Sequence, residues 1–301
     1  MGQLIRSQAG VCAEASLHAL VMLMHVTSED VRKIRQKLAQ FPMQSTQLAD
    51  RFSEALLTAT LGVGEPYWDV LAPQSRPQGL KNIPDYVRSE HPLPVTPFDL
   101  VMVIRSDRAD ANYLAGLQLL HWLDDVVVLA EQHAPFRCLD GRDLFGFKYM
   151  NEHMAGPTRR ERTLISAEHD PEFAGGSFFW LFFSKQDVQR FAALTQAEQE
   201  RIMGRDKLSG RIIKSNKEPS HADKTAGDLW RLHMPFGGLQ RPQEMSLLFA
   251  NQADVLDSWI RNRFTVDEKG LADPLLEFEN VEHASAYFAP PLQWLEQLGG
   301  R

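Results

Sequence analysis

The same order of elements runs through this chain twice, and that repetition limits its possible folds more than any other feature. In the first half, Leu17–Val26 is apolar and of strand length, and Ser28 is placed to cap a helix over Glu29–Phe41. Ala55–Val63 and Phe98–Ile104 read as the next two strands, Ala109–Leu123 has helical periodicity, and Val126–Glu131 reads as a fourth strand. Between them, residues 64–97 are rich in Pro, Gly and Ser, a loop long enough to imply a functional or packing role. The order is β-α-β-β-α-β, the split βαβ or ferredoxin-like unit.

The second half repeats it. Ser177–Ser184 is a strongly apolar strand, followed by a broken helix over Lys185–Phe191 and Gln196–Met203. After a polar, basic stretch from Gly204 to Thr225 come strands at Asp228–Met234 and Met245–Asn251. A helix at Ala253–Phe264 and a short strand at Ala286–Ala289 complete the unit. The expected fold class is therefore α+β: two tandem ferredoxin-like domains, residues 1–140 and 141–301, with antiparallel sheets packed by their apolar faces.

Composition narrows the function. A net charge of −7 argues against nucleic acid as a partner, because binding phosphates needs a basic surface. The basic run Thr158–Arg162 is short and broken by Glu161, and reads as a solvated face or a small anion site. Cys12 and Cys138 stand alone, without metal-ligand or disulfide spacing, so a reducing compartment is expected. No apolar run reaches the roughly 18 residues a spanning helix needs. Arg6 precedes the apolar run Leu17–Val26, but that run holds His18 and His25 and no small-residue cleavage site follows. A cytoplasmic protein without a membrane partner is expected. The ten histidines form no zinc pattern, and the acidic pairs Asp124-Asp125 and Glu152-His153 read as solvated turns.

One series of motifs goes further. Arg142-Asp143-Leu144-Phe145-Gly146-Phe147 is followed by Thr158-Arg159-Arg160-Glu161, Phe173-Ala174-Gly175-Gly176-Ser177 and Glu198-Gln199-Glu200-Arg201. Then come Ile202-Met203-Gly204-Arg205-Asp206-Lys207, Pro219-Ser220-His221 and Arg231-Leu232-His233-Met234-Pro235-Phe236-Gly237. In order and spacing they resemble the dye-decolourising peroxidases, especially their short bacterial cytoplasmic group. The resemblance implies a dimeric α+β barrel-like fold with haem b held by the second domain, and a homo-oligomer. It also implies oxidation of a small-molecule electron donor by hydrogen peroxide. His221 takes the place of the family's iron ligand, and Arg231 that of its distal arginine. Gly146 and Phe147 open the family's G-x-x-D-G loop at the haem.

Here the chain departs from the family. The loop reads Gly146-Phe147-Lys148-Tyr149-Met150, so Tyr149 replaces the distal aspartate and Met150 the second glycine. Phe182-Phe183 stands where a Gln-Arg pair is common, and with Phe178, Phe179 and Trp180 reads as core and haem-pocket wall. An aspartate with a reference pKa of about 4 accepts a proton near neutrality, whereas a tyrosine at about 10 is mostly a donor. His233 lies two residues beyond Arg231 on the same predicted strand face, so it borders the same pocket and can take over the proton shuttle. The expectation is a haem-dependent peroxidase weakened at this step. The alternatives are a non-catalytic haem-binding protein for storage, transfer or sensing, and a scaffold of the same fold that binds no haem.

Overall fold

The computed structural model describes residues 4–84, 91–148, 154–213 and 218–300. The first unit comprises α1 (Ala9–Cys12), β1 (His18–Val26), α2 (Val31–Ala39), α3 (Phe41–Arg51), β2 (Thr58–Gly64), α4 (Glu65–Leu71), β3 (Leu100–Ser106), α5 (Ala109–Leu123) and β4 (Val127–His133). The second comprises α6 (Gly156–Thr163), β5 (Ser177–Gln186), α7 (Val188–Ala192), α8 (Gln196–Met203), α9 (His221–Lys224), β6 (Trp230–Gly238), β7 (Arg241–Ala250), α10 (Ala253–Phe264), β8 (Glu279–Ala289) and α11 (Leu292–Leu298). The strand order is β4-β1-β3-β2-β8-β5-β7-β6. Each half thus has its strands in the order 4-1-3-2, antiparallel throughout, and the two halves are ferredoxin-like units.

The halves join edge to edge at a short seam, Val63↔Phe288 and Gly64↔Tyr287. Their inner faces also pack on each other, Val21, Leu23, Val101 and Val103 against Phe179, Leu181, Leu247 and Tyr287. Gly62 makes that approach possible: a Cβ there would lie 2.4 Å from the Phe179 ring. The outer faces are covered by helices. Trp68 of α4 is fully buried and stacks on Trp294 of α11 at 5.1 Å between centroids, with Phe173 and Phe288 at its edges. The expected loop over 64–97 thus contains a helix whose tryptophan ties the first half of the chain to the C-terminal helix. Trp68→Ala should cost about 3–5 kcal/mol in denaturant unfolding, the range for a fully buried aromatic; a loss under about 1 kcal/mol would contradict this packing.

Several boundaries differ from the sequence expectation for physical reasons. Asp30, not Ser28, caps α2, accepting from Arg32 N and Lys33 N. The helix stops before Phe41, and Pro42 lies in the first turn of the separate helix α3, a position that tolerates its missing N–H. β5 runs on to Gln186, and Asp187 then caps α7. β6 continues through Pro235 to Gly238; it ends the strand order, and an edge strand tolerates a proline. β8 is eleven residues long, because Glu279, Glu282 and His283 break the apolar pattern of a strand that nonetheless pairs along its length with β5. In the run Thr158–Arg162, Arg159 is buried: it pairs with Glu14 at 2.9 Å and lies 4.0 Å over the Trp230 ring. Asp125 pairs with Lys33 and Lys37, and both cysteines are free.

Candidate active site

His221 opens α9, a single turn built by local chemistry. Ser220 caps it, accepting from Asp223 N, while Asp223 Oδ2 accepts from Ser220 N at 2.9 Å and Ser220 Oγ at 2.6 Å. Ser220 fits because Gly204, in the left-handed conformation at the end of α8, has no side chain; a Cβ there would lie 2.0 Å from Ser220 Oγ. His221 is therefore buried at a helix start, 3% exposed, and not in a loose polar connection. Its Nδ1 lies 2.8 Å from Asp273 Oδ2. Asp273 also accepts from Arg263 Nε at 3.1 Å and, through Oδ1, from Leu275 N at 3.0 Å. Arg263 Nη2 continues the series to Glu279 Oε2 at 2.6 Å. Burial opposes the charge on Asp273, but His221 and Arg263 together outweigh it and hold the carboxyl well below its ordinary range.

Asp273 and Arg263 carry no motif and escaped the sequence reading. Asp273 is 52 residues from its histidine. Its only local signal is Asp273-Pro274, which reads as the cap of a short helical turn; the turn at Pro274–Glu277 is there.

Arg231 and His233 share the helix-facing side of β6, as expected, while Leu232 and Met234 enter the core between the halves. Arg231 Nη1 donates to Thr225 O at 2.9 Å, and Thr225 Oγ1 donates to His221 O at 2.7 Å. The sheet arginine thus holds the far end of the histidine's own helical turn. His233 Nδ1 lies 2.9 Å from Ser246 Oγ and 3.3 Å from Glu244 Oε1 on the neighbouring strand. Burial above all, then the charges of Arg231 and His221, lower its pKa to about 3. Glu244 moves the other way, to about 8, through burial and the charge of Glu279, against Arg263. The distance alone suggests an ion pair; the opposed shifts make it a neutral imidazole beside a carboxyl that keeps its proton near neutrality.

The loop that leads to Tyr149 is anchored by Asp143, whose Oδ1 accepts from Phe147 N at 2.8 Å. Gly146 takes the left-handed backbone this turn needs, with φ 88°. Phe147 is fully buried in a cluster with Phe145, Phe191, Met203 and Leu275, next to the turn that carries Asp273. Tyr149 and Met150, with Asn151, Glu152 and His153, lie outside the described residues. Phe182 faces the helices, 5.9 Å from Trp259, whereas Phe183 faces the inner core beside His133 and Phe236.

Two clefts flank this face of β6. One, of about 680 Å³, is lined by Ala222, Ala226, Arg231, Arg205, Trp259 and Asn262. The other, of about 880 Å³, is lined by Leu144, Gln186, Pro235, Phe264, Leu276 and Glu279 among others. Both are within the size range of small-molecule and cofactor sites. Among the described residues, no group of three or more His, Cys, Asp and Glu side chains is placed to hold a metal ion.

Residues 8–137 match the family model described as "Dyp-type peroxidase, N-terminal", and residues 140–294 the one described as "Dyp-type peroxidase, C-terminal". The chain belongs to the dye-decolourising peroxidase family. A curated dye-decolorizing peroxidase of Mycobacterium tuberculosis is 27% identical over 252 residues, 80% of this chain and 75% of the relative. Among solved structures, a putative dyp-type peroxidase protein from Shewanella oneidensis is 30% identical with a TM-score of 0.93, covering 98% of this chain and 99% of that one. A variant of DypB from Rhodococcus jostii RHA1, solved in complex with heme, is 26% identical with a TM-score of 0.87, covering 97% of this chain and 99% of that one. In the peroxidase described here, the buried His221–Asp273 pair and the Arg231–His233 face belong to the second, C-terminal match.

Proposed function

We propose that this dye-decolourising peroxidase binds haem b through its second domain, residues 141–301, with residues 1–140 as the first. In this reading it oxidises a small-molecule donor with hydrogen peroxide. One observation carries the site assignment: a buried histidine at a helix start has its Nδ1 taken by an ionised aspartate. That arrangement fixes the ring and its tautomer, leaves Nε2 as the nitrogen to meet an iron, and makes it a stronger donor. His221 would then be the residue that holds the iron. The residues nearby suit the group: Ala222, Ala226 and Trp259 offer apolar walls, and Arg205 offers a cation to its carboxylates. Gly146 and Phe147 would shape the loop that borders it.

Bound haem supplies the redox chemistry, and the chain's own residues bind, orient and move protons. Arg231 stays cationic at any relevant pH and stabilises negative charge developing on peroxide. Neutral His233 takes a proton from peroxide and returns it to the departing oxygen. Tyr149, in the aspartate's place, cannot accept that proton near neutrality, so the reaction is slowed at this step. Tyr149→Asp combined with Met150→Gly should raise the stopped-flow rate of reaction with peroxide. An unchanged rate, with haem bound and the fold intact, would show that the missing aspartate does not limit the reaction. The loss of the aspartate is also what favours a second reading, a non-catalytic haem-binding protein for storage, transfer or sensing. Among the described residues, no helix is long and apolar enough to cross a membrane. The free thiols of Cys12 and Cys138 support a reducing, cytoplasmic setting, and the family resemblance supports a homo-oligomer.

A further inference from the structure

We propose that Asp143 and Glu244 form a buried proton store that acts through His233, reached from solvent by way of the larger cleft. The inference rests on the shuttle reading of His233 above and gives that shuttle a reservoir. Both carboxyls are buried, and Glu244 Oε2 and Asp143 Oδ2 have no hydrogen-bond partner among the described residues. Two such orphaned oxygens in a native interior call for an explanation. The backbone N–H of Leu144, the residue next to Asp143, donates to the Glu244 carboxylate, so the Asp143 loop is tied to Glu244. Glu244 Oε1 in turn lies 3.3 Å from His233 Nδ1. Leu144, next to Asp143, and Pro235, opposite Glu244 in the strand register, both line the larger cleft.

The need for a store follows from the site's electrostatics. With a pKa of about 3, His233 alone would be roughly ten-thousandfold too weak to hold a proton near neutrality. Burial and the neighbouring Arg231 disfavour an imidazolium there. A relay avoids it. The groups facing Glu244 are Asp143 on its loop, Glu279 on β8, Arg263 on α10 and His233 on β6. Burial and the charge of Glu244 push the Asp143 carboxyl up, so the two do not both ionise near neutrality and the pair keeps one proton. As His233 Nε2 takes a proton from peroxide, its Nδ1 proton passes to Glu244 Oε1 while the proton that Glu244 held moves on to Asp143, so the pair then holds two. The same path runs backwards when Nε2 protonates the departing oxygen, which leaves as water. One proton enters and one leaves, no electron passes through the relay, and the imidazole is neutral before and after. Glu244 and Asp143 are thus positioning residues rather than catalytic ones.

The test uses the full haem-loaded chain and two conservative variants, Glu244→Gln and Asp143→Asn. Infrared difference spectra of the resting protein should show the carbonyl stretch of a protonated carboxyl at neutral pH that disappears as pH rises past about 8. Glu244→Gln should remove that titration. Both variants should keep the parent's Soret band yet react with peroxide at least about tenfold more slowly, a fraction of what acid–base help contributes. Glu244→Asp, which restores a carboxyl, should recover part of the pH profile. Absence of the protonated carboxyl at neutral pH overturns the store, whatever the rates. If His233→Ala is slow while Glu244→Gln matches the parent at every pH, the relay fails and the shuttle stands. If neither variant is slow, the shuttle fails and the relay with it.

Discussion

His221→Ala will purify with little or no haem, while its circular dichroism and sedimentation remain those of the parent. The fold should survive because the imidazole belongs to one turn of helix, whereas the core is built by the eight-stranded sheet and its helices. The Asp273–Arg263–Glu279 series remains paired without the histidine, so no buried charge is orphaned. What is lost is the ring proposed to hold the iron. Asp273→Asn should act through that ring, weakening haem binding by about ten- to a hundredfold, the usual cost of losing a ligand's supporting partner. A His221→Ala protein with the parent's Soret maximum and haem content would remove His221 from the ligand's role.

His233→Ala should slow the reaction with peroxide by about a hundredfold or more, the lower bound for positioned acid–base catalysis, with the resting haem spectrum nearly unchanged. Its pH dependence has a definite sign. In the parent the neutral imidazole persists down to about pH 3, so the rate should not fall at the ordinary imidazole pKa of 6.5, as the sequence alone would suggest. Stability responds differently. The unfolded chain takes up the histidine proton near 6.5 and the native chain only near 3, so stability drains away as pH falls through that window. His233→Ala should flatten the acid side of the stability curve. A variant as fast as the parent would leave His233 as packing and shift weight to the non-catalytic reading.

The sequence displayed what is local and periodic. Ala109–Leu123, Gln196–Met203 and Ala253–Phe264 were legible as helices to the residue, because apolar spacing and a flanking break mark both ends of each. The two-fold repeat of elements was legible for the same reason, and Arg231 and His233 on one strand face follow from a period of two. Long-range chemistry left no such trace. Asp273 reaches His221 across 52 residues, and Glu244 reaches His233 across a strand pair; isolated, each is an ordinary acid. The depth of burial was equally hidden, and it is burial that drives His233 down and Glu244 up. β8 was mostly missed because its buried histidine and its glutamates serve this polar interior rather than the apolar core. Tyr149, the residue on which the family comparison turns, lies outside the described residues, so its role rests on its place in the loop motif.

In the proposed reading, His221 and the Arg231–His233 face hold a haem that reacts with peroxide. The most direct test is the absorption spectrum of the purified, haem-loaded chain before and after hydrogen peroxide is added. A Soret band that shifts on peroxide addition and returns when a small donor is supplied is the predicted result. A Soret band that peroxide leaves in place would contradict the peroxidase reading and favour haem storage, transfer or sensing, and a protein with no Soret band after haem is supplied would contradict the site itself.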